Sequence, residues 1–182
     1  MEVRHAPISG LIIIQPKVIK DERGFFYESF SEKRYEEICR AQFVQDNVSE
    51  SVRNTIRGLH YQVGAFVQGK LCQVLSGTVL DIAVDIRFGS PTFGQYFAIE
   101  LASENNSQLW IPPGFAHGFS VLSEKATFHY KCTEYYSKDH ERAIRFSDPV
   151  LNIEWNVKNP VVSAKDLAAP LFGDIQKDFT FS

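Results

Sequence analysis

Glycine and proline punctuate this chain at short intervals. They fall at Gly10, Pro16, Gly24, Gly58, Gly64, Gly69, Gly77, Gly89-Ser90-Pro91, Gly94 and Pro112-Pro113-Gly114, and short runs rich in Val, Ile, Phe and Tyr lie between them. Short strands separated by turn residues predict an all-β sandwich or barrel. The clearest strand is Thr78 to Arg87: Leu80, Ile82, Val84 and Ile86 fall on one face, and Asp81, Ala83, Asp85 and Arg87 on the other. A strict period of two predicts a half-buried strand. A second strand runs from Thr127 to Tyr136, with Phe128, Tyr130, Cys132 and Tyr136 sharing a face and His129 and Lys131 pointing away. Helix is expected only at the margins, over Ser31 to Cys39 with Ser31 as N-cap, and over Ser163 to Ala168 in a short C-terminal extension. No repeat, low-complexity tract or linker divides the chain, so residues 1–182 read as one mainly β domain with a few short helices.

A chain of 182 residues can bury roughly 70% of its unfolded surface, so it needs neither disulfide nor metal to hold a core. The net charge of -3 comes without any long Lys/Arg run, which argues against nucleic acid as a partner. Cys39, Cys72 and Cys132 lie far apart with no CxxC and read as reduced thiols. The start, Met1-Glu2-Val3-Arg4-His5, lacks the layout of a signal peptide, and no apolar stretch approaches the ~18 residues a bilayer span needs. The expected setting is the cytoplasm, with no membrane contact.

The segment Ser107 to Val121, SQLWIPPGFAHGFSV, resembles the second motif of the cupin superfamily; Gly58-Leu59-His60 and Gly77 sit at the ends of something like the first. Metal-binding cupins have His-x-His and then Glu there. Here Tyr61-Gln62 follows His60, and no Glu occurs from Tyr61 to Gly77. A transition-metal site needs three or four convergent ligands, so the expectation is a cupin-like barrel without a metal site. Arg23, Arg57, Lys70 and Lys165 lie beside glycines, aromatics or His60 rather than in charged helices. Were they to converge, they would suit an anion such as a diphosphate. DERGFFYESF, Asp21 to Phe30, reads either as an amphipathic strand and turn or as an aromatic face for a base or sugar, with Arg23 and Glu28 as polar anchors.

DERGFFYESF, FVQDNVSES, IRGLHYQ, QGKL, DIAVDIRFGSPTFG, QLWIPPGFAHGF, YKCTEYY and SAKD occur in that order from about Gly10 to Asp166. Together they resemble the dTDP-4-dehydrorhamnose 3,5-epimerase family. The resemblance implies a cupin-type jelly-roll β-barrel, a homodimer and no cofactor. By position it makes His60 the catalytic base, Asp166 the carboxylate that orients it and Tyr130 the general acid. It assigns substrate binding to Arg23, Phe26, Glu28, Gln45, Asp46, Asn47, Arg57, Lys70, His117, Glu141 and Lys165. Of these, Arg57, Lys70 and His117 would lie near sugar and phosphates, and Phe26 with a Gln45–Asn47 loop near the thymidine, partly from the neighbouring subunit. Two departures are Gln73, where the family often has Arg, and Phe146, where Trp is common.

The implied reaction converts dTDP-4-dehydro-6-deoxy-D-glucose to dTDP-4-dehydro-L-rhamnose in dTDP-L-rhamnose biosynthesis. The C4 ketone acidifies the protons at C3 and C5, so a base, an acid on the opposite face and a group to stabilise the enolate suffice; Lys70 is the candidate for the last role. Three rivals remain: an epimerase acting at C3 or C5 only, a metal-dependent cupin, and a non-catalytic sugar-binding cupin. The apolar run Leu11-Ile12-Ile13-Ile14, within a strand segment from Leu11 to Lys17, is expected to pair as an edge strand with a second subunit.

Overall fold

The computed structural model describes residues 1–181, and among them thirteen strands and two α-helices. In chain order these are β1 (Glu2–His5), β2 (Ile12–Gln15), β3 (Ile19–Asp21), β4 (Gly24–Phe26), α1 (Glu32–Cys39), β5 (Gln45–Val52), β6 (Ile56–Gln62), β7 (Lys70–Ser76), β8 (Thr78–Asp85), β9 (Tyr96–Ala102), β10 (Gln108–Ile111), β11 (Phe115–Val121), β12 (Lys125–Cys132), β13 (Glu141–Ala143) and α2 (Ala164–Leu167). A six-stranded sheet runs β1-β2-β10-β7-β12-β5, a five-stranded sheet runs β13-β6-β11-β8-β9, and β3 and β4 form a separate hairpin. This is the mainly β, cupin-type jelly roll that the strand spacing and the motifs predict.

Apolar side chains gather in three layers. The first lies between the sheets and includes Leu11, Val79, Leu101, Leu109, Phe119 and Phe128. The second lies outside the five-stranded sheet, where Leu80, Ile82, Val84 and Ala116 pack against Leu151, Trp155 and Phe172 of the C-terminal segment. The third lies outside the six-stranded sheet, where Ile12, Ile14, Leu71 and Trp110 meet Tyr35 and Cys39 of α1.

Those layers correct several expectations. β8 is buried on both faces, because Leu80, Ile82 and Val84 are roofed by the C-terminal segment while Asp81 and Ala83, fully buried, point into the sandwich. The polar face of the alternation therefore faces the barrel interior, not water. The second strand stops at Cys132, leaving Tyr136 outside it. Ser31 stands at the N-cap of α1, but its side chain makes no capping bond. β2 is not an edge strand: it lies between β1 and β10, and Leu11 and Ile14 are fully buried within their own chain. The apolar run needs no partner; the edges of that sheet are β1 and β5.

Two glycines allow β6 and β11 to approach closely. A Cβ on Gly58 would lie 2.5 Å from the Cα of Gly118, and one on Gly118 would lie 2.8 Å from the Arg57 carbonyl oxygen. Gly58 also has φ +132°, where only glycine is comfortable. The pairing carries an irregularity between His117 and Phe119, and it sets His117 directly opposite His60.

Beyond β8 the chain turns through Gly89-Ser90-Pro91, anchored by Asp85. Its carboxylate accepts from Arg87 Nε and Nη2, both at 2.8 Å, and from the hydroxyls of Ser90 and Thr92, both at 2.6 Å. Burial works to raise the pKa of Asp85, but the Arg87 pair and the two hydroxyls outweigh it and hold the group at about 2. A carboxylate depressed in the folded state adds stability above its unfolded pKa of about 3.9, and that stability is lost as pH falls towards the folded value. The urea midpoint of Asp85→Asn should therefore lie below that of the parent at neutral pH, and the gap should shrink between roughly pH 4 and pH 2. A gap that stays constant across that window would show that Asp85 contributes packing rather than charge.

Candidate active site

His60 lies on β6, one residue beyond the fully buried Leu59. Its Nε2 lies 2.7 Å from Oδ1 of Asp166, a residue 106 positions later in the chain. Asp166 sits in the first turn of α2, where Ser163 acts as N-cap and its hydroxyl accepts from the Asp166 backbone N–H at 3.1 Å. The cap fixes the position of the carboxylate. The Gly58 N–H, at 3.5 Å, donates weakly to its other oxygen. Burial works to raise the pKa of Asp166, but the hydrogen bond and charge of His60, with Gly58 and Ser163, hold it below the ordinary carboxylate value. Nε2 of His60 thus donates to Asp166, and the basic lone pair of the neutral ring is on Nδ1.

The facing sheet supplies the second half of the site. Register places Tyr130 of β12 beside Cys72 of β7 and Asn47 of β5. Burial pushes the Tyr130 phenol up to about 12, so it keeps its proton across the physiological range. Lys70 Nζ lies 5.8 Å from the centre of the Tyr130 ring. Between the sheets opens a cavity of about 540 Å³ lined by His60, Tyr130, Lys70, His117, Arg57, Asn47, Lys165 and Asp166, among others. A smaller cavity of about 210 Å³ shares His60, Lys70, Tyr130 and Asn47 with it, and adds Gln45, Tyr136 and Glu141.

Around this centre the polar groups are braced. Glu141 Oε2 receives both Lys165 Nζ and, at 3.0 Å, the Tyr136 hydroxyl. Burial opposes the ionised form of Glu141, but Lys165 and Tyr136 prevail and hold its pKa below the ordinary value. Arg57 donates from Nε to Ser51 Oγ at 2.9 Å. Gln45, Asp46 and Asn47 form no loop; they open β5.

Four of the residues that the resemblance assigns to substrate binding line neither of these cavities. Arg23 pairs with Asp21 on the β3–β4 hairpin, Phe26 on that hairpin is 69% exposed, Glu28 pairs with Arg34, and Asp46 pairs with Lys131. The sequence reading gave no site role to Ser163, Ser51 or Asp81. For two of these a signal was present: Ser163-Ala164-Lys165-Asp166 is an S-x-x-D start to a helix, and Asp81 breaks the apolar character of β8.

Comparison with known proteins gives a consistent answer. The family model described as dTDP-4-dehydrorhamnose 3,5-epimerase matches residues 5–174. A dTDP-4-dehydrorhamnose 3,5-epimerase of Shigella flexneri is 51% identical over 176 residues, 96% of this chain and 97% of that protein. The crystal structure of dTDP-6-deoxy-D-glucose-3,5-epimerase from Legionella pneumophila Philadelphia 1, in complex with dTDP-4-keto-L-rhamnose, superposes with a TM-score of 0.95 at 50% identity, covering 100% of this chain and 98% of that one. A dTDP-4-dehydrorhamnose 3,5-epimerase from Elizabethkingia anophelis NUHP1 gives 0.90 at 45% identity, covering 98% and 99%.

His117 holds the floor of the larger cavity. Its Nε2 lies 2.7 Å from Oδ1 of the fully buried Asp81. Burial lowers its pKa most, with Lys70 and His60 adding to that and Asp81 opposing. A histidine depressed on folding stays neutral while its unfolded counterpart protonates, so the group destabilises the fold progressively as pH falls below about 6.5. Imidazole ¹⁵N spectra at pH 6.5, where an ordinary imidazole is half protonated, should show His117 mostly neutral, with its hydrogen on Nε2. A ring at least half doubly protonated at that pH would refute the assignment.

Proposed function

The chain belongs to the dTDP-4-dehydrorhamnose 3,5-epimerase family, and from that premise we propose that His60, Asp166 and Tyr130 carry out its inversion of C3 and C5 in dTDP-4-dehydro-6-deoxy-D-glucose. The single observation that carries the assignment is the placement of His60 and Tyr130 on opposing sheets across one cavity. A sugar ring held between the sheets would meet a base on one face and an acid on the other. Nδ1 of His60 takes the proton made acidic by the C4 ketone, Asp166 stabilises the imidazolium that forms, and Tyr130 returns a proton to the opposite face. Lys70, beside Tyr130, stabilises the enolate oxygen. Each cycle ends where it began in oxidation state, so acid–base chemistry alone balances it and no cofactor is called for.

Arg57 and His117 are the contacts we assign to phosphates and sugar, with Gln45, Asn47 and Glu141 on the smaller cavity and Lys165 on the larger one for the nucleoside. Arg23, Phe26, Glu28 and Asp46 would act across a homodimer interface. The support is the exposure of Phe25 and Phe26, 61% and 69%, on the β3–β4 hairpin, together with the exposed edge strand β1. Light scattering at micromolar concentration should give twice the chain mass; a monomer would leave those residues without a site to serve. No described helix is long and apolar enough to cross a membrane. Three buried free thiols suit a cytoplasmic enzyme, whose reduced product would supply rhamnose for surface polysaccharide.

His60→Ala should lose solvent deuterium uptake at both C3 and C5, by about 10²–10⁴-fold. Tyr130→Phe should still form the enolate but reprotonate it from His60 on the original face. Proton NMR in D₂O would then show deuterium entering substrate of unchanged configuration while product forms slowly. Uptake at only one carbon in the parent enzyme would indicate a mono-epimerase, and wild-type turnover in Tyr130→Phe would move the acid elsewhere.

A further inference from the structure

Beneath the larger cavity lies a cluster that the epimerisation does not use in full. Cys72 reaches in from β7 of one sheet, and Asp81 and His117 from β8 and β11 of the other. One potential ligand atom from each lies within 4.8 Å of the other two, and all three residues are buried. The Cys72 Sγ to His117 Nε2 distance is 3.8 Å, and His117 Nε2 to Asp81 Oδ1 is 2.7 Å. Asp81 Oδ2 is sealed from solvent and has no hydrogen-bond partner among the described residues. An orphaned buried carboxylate oxygen is costly, and a hydrogen-bonded core histidine does not account for it.

We propose that Cys72, Asp81 and His117 form an inhibitory binding site for Zn²⁺ or a similarly soft divalent cation. Thiolate, imidazole and carboxylate are the ligand types such ions prefer, and three protein ligands leave a fourth, tetrahedral position for water from the cavity. Ligand atoms around zinc stand roughly 3.3–3.6 Å apart, from bond lengths of about 2.0–2.3 Å. The sulfur is close to that spacing already, and a small rotation of Asp81 offers Oδ2 in place of Oδ1.

The proton balance explains the inhibition. In the metal-free protein the hydrogen on Nε2 of His117 points at Asp81. Zinc takes that position. The thiol loses its proton to solvent, the neutral imidazole carries its hydrogen on Nδ1 instead, and one proton is released per ion. Nδ1 has no side-chain partner among the described residues, and the ring lines the cavity. Its change from acceptor to donor would reverse the hydrogen bond His117 offers the substrate. This last step rests on the assignment of His117 to substrate binding; the ion binding itself does not.

The test starts from protein stripped with EDTA, which should be fully active. Co²⁺ should bind with one-to-one stoichiometry and give a thiolate-to-cobalt charge-transfer band, measured without substrate. Zn²⁺ should inhibit turnover, and EDTA should reverse the inhibition. Cys72→Ala should keep its metal-free activity, lose the charge-transfer band and raise the zinc inhibition constant by at least about 10-fold, since even groups that only orient a ligand are worth about 10–100-fold in affinity. Cys72→Ser preserves the shape of the site and should lose the band in the same way if the alanine variant folds poorly. Bound cobalt without a thiolate band, no zinc binding at micromolar metal, or zinc inhibition unchanged by loss of Cys72 would each overturn the proposal. Inhibition that persists in the Cys72 variants would place the ion elsewhere, such as on His60 and Asp166. Binding with the band but without inhibition would sink the inhibitory role alone.

Discussion

The structure depends on how the C-terminal segment packs over the outer face of the five-stranded sheet. A sheet whose inner face must carry His60, Asp81 and His117 cannot obtain enough apolar burial from that face alone. Leu80, Ile82, Val84 and Ala116 therefore point outward, and Leu151, Trp155 and Phe172 cover them. Each large side chain so buried is worth about 1.5–3 kcal/mol. The cover is also tied down by polar bonds: Trp155 Nε1 donates to the Phe146 carbonyl at 2.8 Å, Ser120 Oγ donates to the Trp155 carbonyl at 2.6 Å, and the Phe172 N–H donates to Asp148 at 2.8 Å. The same segment brings Asp166 to His60. Stability of the outer layer and orientation of the His60 ring come from one piece of chain.

The two sheets divide the chemistry between them. The five-stranded sheet presents the two histidines, each with a carboxylate on Nε2. The six-stranded sheet presents Tyr130 and Lys70. The two His–carboxylate pairs differ in depth. Asp166 belongs to a surface-reaching helix and leaves the His60 side chain 28% exposed, whereas His117 is buried at the cavity floor with Asp81 fully buried beneath it. Similar pairings therefore orient a partly exposed imidazole in one place and hold a buried one in the other.

Much of the fold was legible in the sequence, because a period of two and its turn residues are local properties. The strand beginning at Thr78, the helix ending at Cys39 and the helix after Ser163 all lie close to their expected places. Which way the Thr78 strand faces was not legible. Alternation separates two faces but does not say which is wet, and here the apolar face is covered by residues some seventy positions later. The run from Leu11 to Ile14 misled for a related reason: both faces of β2 are buried, one in the sandwich and one beneath α1. Within the site, the motif residues His60, Lys70, His117, Tyr130 and Asp166 converge, while Arg23, Phe26 and Glu28 stay on a hairpin and its flank that one chain leaves outside the cavity. Period and spacing place residues on faces and do not tell which motif residues will share a cavity.

The 106-residue separation between His60 and Asp166 also bears on the order of events during synthesis. Chains emerge from the ribosome at about 5–20 residues per second, so the histidine is made several seconds before the carboxylate that aims it. The strands holding His60, His117 and Tyr130 precede the segment that roofs their sheet. A nascent barrel at that stage would expose the outward apolar row of β8 and hold an unaimed imidazole. The His60–Asp166 pair therefore waits for the same late segment that supplies the cover of Leu151, Trp155 and Phe172. A truncated or slowly closing chain would expose that apolar row while its His60 still lacked a carboxylate partner, so a cell could clear it by the exposed surface alone.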